Sequence, residues 1–116
     1  MKELKHMDGY QVEEEYYENR KIKSRVWWHL NRVHREGGPA VEEFYENGLP
    51  RRREWRCQGR LHREDGPAIE VYNPQGELVR KEFWYQRRKF SEEEFYRLLA
   101  IRELRKLDSS EKKVGL

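Results

Sequence analysis

The apolar positions of this chain recur with a long period rather than a helical one. Tyr16, Phe44 and Tyr72 are each 28 residues apart, and so are Trp27, Trp55 and Phe83. Small residues keep the same step, with Gly38, Pro39 and Ala40 answered by Gly66, Pro67 and Ala68. The segment "VHREGGPAVE" from Val33 is thus restated as "LHREDGPAIE" from Leu61. Stepping back once more from His34 reaches His6, so the period predicts about three units, near residues 6–33, 34–61 and 62–90.

Inside a unit, short runs of β-formers are separated by turn residues. "AVEEFYENGLPRRREW" places Asn47-Gly48 between two such runs, a strong hairpin signal. Gln75-Gly76 and Asn19-Arg20 stand at the equivalent points of the other units. A two-residue type I′ turn there sets Glu42 opposite Arg53 and Ala40 opposite Trp55. In the third unit it sets Glu70 opposite Lys81 and Ala68 opposite Phe83, and in the first Glu14 opposite Arg25 and Val12 opposite Trp27. The link "QGRLHREDGP" reads as a turn-rich return, and Asn31 at the place of Gly59 suggests a left-handed position.

The pattern changes after Phe90. "FSEEEFYRLLAIRELRKL" predicts a helix over 91–107, with Ser91 as N-cap and Glu94 completing a capping box. Arg102, Arg105 and Lys106 suit its negative end. Its apolar residues spread around much of the helix, so one face is expected to cover the last hairpin and another to meet a partner. The tail over 108–116 lacks periodicity and is expected to be loose. The fold class is therefore mainly β: about three stacked antiparallel hairpins forming an elongated sheet, capped by a C-terminal helix.

Composition alters this picture in two ways. Of 116 residues, 41% are charged and 35% hydrophobic, with a mean hydropathy of -1.26, a balance close to that of disordered chains. The 13% of aromatic residues argues instead for an ordered chain with a thin aromatic core. The net charge of +3 is too small to imply nucleic acid by itself. One cysteine, Cys57, allows no internal disulfide and points to a reduced, intracellular and cytoplasmic setting. No secretory apolar stretch opens the chain, and no apolar run approaches the roughly 18 residues of a membrane span, so no membrane partner is expected.

The units "HREGGPAVE" and "HREDGPAIE", each followed by an aromatic strand and a turn, together with "RRKFSEEEFYRLLA", resemble a repeat of large DNA viruses and some phages. That repeat is related to MORN-type repeats and to the variant in YwqK-like bacterial antitoxins. The resemblance spans roughly His34 to Leu99; the first unit, "HMDGYQVEE", lacks the Arg and the Pro-Ala. It implies a β-hairpin array, a viral source acting in the host cell or virion, and no chemistry.

Candidate chemistry is sparse. His6, His34 and His62 lie one repeat apart, which disperses them rather than gathering four ligands around a metal. Cys57 and His62 could form a nucleophile and base, yet no third orienting group is in view. Cys57 falls on the strand face of Trp55, where a small apolar residue fits. The histidines read better as turn residues, with Glu36 or Asp65 ordering the loop. No catalytic residue, metal or cofactor is expected.

Two binding readings remain. The first is a protein partner or self-association through the surplus helix residues Leu98, Ile101, Leu104 and Leu107 beside Arg87 and Arg88. The second is nucleic acid held by Arg51, Arg52, Arg87 and Arg88 with Trp84 as a stacking ring. The expected pairing of Arg25, Arg53 and Lys81 with acids across the strands weighs toward the first, a non-enzymatic scaffold for protein–protein contact.

Overall fold

The computed structural model describes the backbone of residues 1–114 and the side chains of residues 1–108. The strands are β1 (Lys2–Met7), β2 (Tyr10–Tyr16), β3 (Ile22–His29), β4 (Arg32–Val33), β5 (Val41–Phe44), β6 (Pro50–Glu54), β7 (Arg56–Cys57), β8 (Arg60–Leu61), β9 (Ile69–Tyr72), β10 (Leu78–Tyr85) and β11 (Arg88–Phe90). One helix, α1 (Glu92–Val114), follows. The main sheet is an open antiparallel meander, β1-β2-β3-β5-β6-β9-β10-β11. β4 folds back on the end of β3, and β7 pairs β8 as a separate ribbon. The mainly β architecture with one C-terminal helix is thus as the periodicity predicts. Its extents are 61 × 32 × 23 Å, and its radius of gyration of 17.4 Å exceeds the roughly 13 Å of a compact chain this long.

The long hairpins β2/β3, β5/β6 and β9/β10 keep the expected charged pairs, Glu14 with Arg25, Glu42 with Arg53 and Glu70 with Lys81. They do so with a different turn. Gly48 N–H donates to Tyr45 C=O, and Tyr45 N–H to Leu49 C=O, which encloses a three-residue loop with only Gly48 left-handed. That loop shifts the register by one, and a bulge between Glu43 and Phe44 on the pairing with β6 shifts it back. The same turn and bulge recur at Arg20 and Gly76. The type I′ turns lie on the other links. Asp8-Gly9, Leu30-Asn31, Gln58-Gly59 and Gln86-Arg87 have a positive φ, or glycine, at both central positions. The left-handed Asn31 and Gly59 are as expected.

Two expected pairs are not regular. Val12 does face Trp27, but Ala40 N–H donates to Glu54 C=O and Ala68 N–H to Glu82 C=O, one residue off the Trp55 and Phe83 pairings. Pro39 and Pro67, which have no N–H, precede these alanines and start the ladder late. Trp55 N–H instead crosses to Ala68 C=O, just as Trp27 N–H crosses to Ala40 C=O. Each alanine is therefore fully buried where one unit meets the next.

The core is a thin line along one sheet face, Val12, Trp27, Ala40, Ala68, Phe83 and, from the helix, Phe95, with Ile69 buried on the other face opposite Glu54. α1 begins as the capping box predicts, with Glu94 N–H donating to Ser91 Oγ at 3.2 Å and Ser91 N–H to Glu94 Oε1 at 3.1 Å. It does not stop at Leu107 but runs to Val114. No glycine or proline interrupts 108–114, and Glu111, Lys112 and Lys113 are good helix formers. Of the tail expected to be loose, residues 115 and 116 lie outside the described residues. No helix is long and apolar enough to cross a membrane among the described residues.

Candidate functional site

The repeated His-Arg-Glu segment forms a loop that locks one unit onto the next. Arg35 lies over the Trp27 ring with its guanidinium carbon 3.8 Å from the ring centroid, and Arg63 lies over Trp55 at the same distance. Each guanidinium then donates to the carbonyl four residues ahead, Arg35 to Pro39 at 3.2 Å and Arg63 to Pro67 at 3.0 Å. It also approaches an acid of the sheet, Glu42 at 3.7 Å or Glu70 at 3.5 Å. The glycines make room. A Cβ on Gly38 would meet the Arg35 guanidinium at 3.0 Å, and one on Gly66 would meet that of Arg63 at 2.9 Å.

The histidines serve the same loops. His34 Nδ1 accepts from the Gln58 N–H at 2.9 Å, and His62 Nδ1 from the Gln86 N–H at 3.2 Å. Each histidine thus fastens the type I′ turn of its own unit's short hairpin. Asp65 pairs with Arg63 at 3.1 Å, while the Glu36 carboxylate stays 3.9 Å from His34 Nε2. At the opposite end of the units, Tyr17 Oη donates to Phe44 C=O at 2.6 Å and Tyr45 Oη to Tyr72 C=O at 2.7 Å. The 28-residue spacing of Tyr17 and Tyr45 could have flagged this tie in the sequence.

Trp27, Trp55 and Phe83 do not stack on one another as a simple aromatic spine. Two are capped by guanidinium groups. The third, Phe83, is met by the helix, with Phe95 at 4.9 Å and Tyr96 at 5.5 Å between ring centroids. Ser91 stands one period after Arg63, so the last unit has no arginine to lay over its ring, and the helix takes that role.

A row of alternating charge crosses six adjacent strands: Glu14, Arg25, Glu42, Arg53, Glu70 and Lys81. Arg25 bonds Glu14 at 2.9 Å and Glu42 at 3.0 Å. Lys81 turns from Glu70 to Glu92 at the helix start, 2.7 Å away. Burial pushes the Glu14 carboxyl up, but hydrogen bonds from Lys5, Arg25 and Tyr16 outweigh it and hold the group at about 2. Glu54, buried on the other face, is pushed up by burial and down by Arg56 and Arg52, with a net lowering.

The residues expected to bind nucleic acid do not gather as one groove. Arg52 is bonded to Glu54 at 2.5 Å, Arg51 lies 5.9 Å from the Tyr45 ring, and Arg88 lies 4.8 Å from Phe90. Arg87 is the second, left-handed residue of its turn, with φ of 68°. Trp84 donates to Glu82 at 3.2 Å. Arg52 and Trp84 are on strands separated by β9.

The helix residues expected to bind a partner are exposed: Leu98 by 38%, Ile101 by 40%, Leu104 by 64% and Leu107 by 62%. Among the described side chains of α1, only Phe95, Leu99 and Arg102, spaced along one face, are buried or half-buried against the body. Arg102 sits mid-helix rather than at the negative end, because the helix runs on. It donates to Glu64 C=O at 2.8 Å and lies 4.3 Å over the Tyr85 ring.

An open groove of about 830 Å³ lies between the two His-Arg-Glu loops and α1, with Trp55, Cys57, Asp65 and Glu103 among its lining residues. Cys57 is exposed rather than packed beside Trp55, because Trp55 leaves the ladder between β6 and β7 and the two residues no longer share one strand. Among the described residues no three His, Cys, Asp or Glu side chains form a metal-sized cluster. Comparison of the chain with protein-family models, curated proteins and solved structures finds no match.

Proposed function

We propose that this protein is a non-enzymatic repeat scaffold whose exposed α1 stripe docks a protein partner. The observation that carries the reading is the division of labour in the helix. Phe95, Leu99 and Arg102 hold it to the last unit, while Leu98, Ile101, Leu104 and Leu107 stay exposed, winding from beside that contact to the far side of the helix. Successive members of this set lie three residues apart and are neighbours on the helix surface, as are the adjacent anchors of a helix-in-groove contact. The motif residues that could suggest chemistry are occupied: Arg35 and Arg63 by tryptophan rings, His34 and His62 by turn amides. A reduced intracellular compartment and a viral source, with a role in the virion or on a host protein, fit this reading through the single exposed thiol and the resemblance of the repeats.

The test is a pull-down of partners from the source cells with Leu104→Ser/Leu107→Ser and Arg87→Ser/Arg88→Ser variants, with and without nuclease. The expected result is a nuclease-resistant partner lost only in the leucine variant. Recovery that depends on nucleic acid and on Arg87 and Arg88 would support the nucleic-acid reading instead, with affinity falling by roughly 0.7–0.9 log units per phosphate contact per log unit of salt.

A further inference from the structure

The strand order leaves β1 at the end of the sheet, paired with β2 on one side and open on the other. Its pairing runs from Lys2 to Met7 without a bulge, and it contains no proline, so it lacks two of the usual devices that blunt a free edge. Two observations fix which backbone groups point outward. The type I′ turn at Asp8-Gly9 is closed by Met7 and Tyr10, and Tyr16 N–H donates to Met1 C=O at 2.9 Å. The backbone groups of Glu3, Lys5 and Met7 therefore face β2, and those of Lys2, Leu4 and His6 face outward.

An antiparallel strand can add to this edge only by pairing its outward residues with Lys2, Leu4 and His6. For a second copy of β1, three centred registers satisfy that parity. Centred on Glu3, the register sets Glu3 against itself; centred on Lys5, it sets Lys5 against itself. Centred on Leu4, it sets Glu3 against Lys5 of the second copy, twice by symmetry, in the close non-hydrogen-bonded pairs where charge matters most. Leu4, 60% exposed, then meets its own counterpart, and Lys2 pairs with His6.

The charge row shows why Glu3 accepts a new base. Its neighbour across the hairpin is Glu14, a like charge, so the alternation of acid and base across the sheet fails at this strand. Lys5 is shared, 2.6 Å from Glu14 and 3.7 Å from Glu3. We propose that β1 is a self-complementary edge through which two copies of this chain join in an isologous, two-fold antiparallel pair, Leu4 on Leu4, making one continuous sheet. This surface is separate from the α1 stripe, and the proposal does not rest on the partner reading.

The experiment is sedimentation equilibrium of the full chain at about 0.1–1 mM, where an interface this small would associate. Leu4→Pro removes the outward N–H without touching the bonds to β2, and should weaken the dimer by about tenfold or more, since two bonds are lost per dimer. Glu3→Lys should weaken it too, and Glu3→Lys combined with Lys5→Glu should restore it, because the exchanged pair is again complementary. Circular dichroism of each variant checks the fold, and the restoring pair keeps the test valid if one variant is unfolded. A chain that stays monomeric over this range overturns the proposal. So does a dimer indifferent to Leu4→Pro and Glu3→Lys, or one lost only with Leu104→Ser.

Discussion

Arg63 lies over Trp55 with its guanidinium carbon 3.8 Å from the ring centroid, and Gly66 is the residue that leaves space for it. The backbone of Gly66 does not have a positive φ, so its lack of a side chain answers to this neighbour rather than to turn geometry. Gly66→Ala should cost about 1–2 kcal/mol by displacing Arg63 from the ring and from Pro67 C=O. In an Arg63→Ala background the same change should be neutral or stabilise by about 0.4–1 kcal/mol, because only the unfolded-chain entropy remains. Urea melts of the four proteins measure the coupling, and strictly additive effects would refute the contact's role.

Arg20 holds the left-handed turn position that Gly48 and Gly76 hold in the later units. Its Cβ makes that conformation strained. Arg20→Gly should raise stability by roughly 0.5–1 kcal/mol, and Gly48→Ala should lower it by a similar amount. Thermal melts read both, and a loss of stability in Arg20→Gly would contradict the turn assignment.

Glu14 links the row of charges to the core. Its folded pKa of about 2 lies below the ordinary 4.5, so folding favours the ionised form. Its contribution is fully present above about pH 4.5 and is lost as the pH falls toward 2. It amounts to about 1–3 kcal/mol once the exposure of Lys5 is allowed for. Wild type should lose stability over that window, and Glu14→Gln should lose less. Parallel acid dependence in the two proteins would show that Glu14 is not the group responsible.

Phe95 is the buried anchor by which α1 covers Phe83. Phe95→Ala should cost about 3–5 kcal/mol of stability and raise amide exchange along the helix and β10. Ser91→Ala, which removes only the cap, should cost about 1 kcal/mol. Exchange confined to the helix end in Phe95→Ala would mean that other contacts dock it.

The period, the strands and the helix start were legible in the order of residues. These follow from signals held by near neighbours: β-formers between turn residues, and Ser91 with Glu94 three residues on. The pairing of Glu42 with Arg53 was legible too, although for an incomplete reason, since the turn and the bulge each shift the register and cancel. Which links carry the type I′ turns was settled by contacts made on folding. Leu30-Asn31 and Gln86-Arg87 lack the usual glycine, and His34 and His62 fasten the Gln58-Gly59 and Gln86-Arg87 turns. The same folding laid guanidinium groups over Trp27 and Trp55, with Tyr10 edge-on to Trp27 as well, because that contact joins residues brought together by the loop's fold onto the preceding unit. The open side of β1 is likewise a fact of strand order: whether a strand is an edge depends on what lies beside it, and no residue within Lys2–Met7 states that.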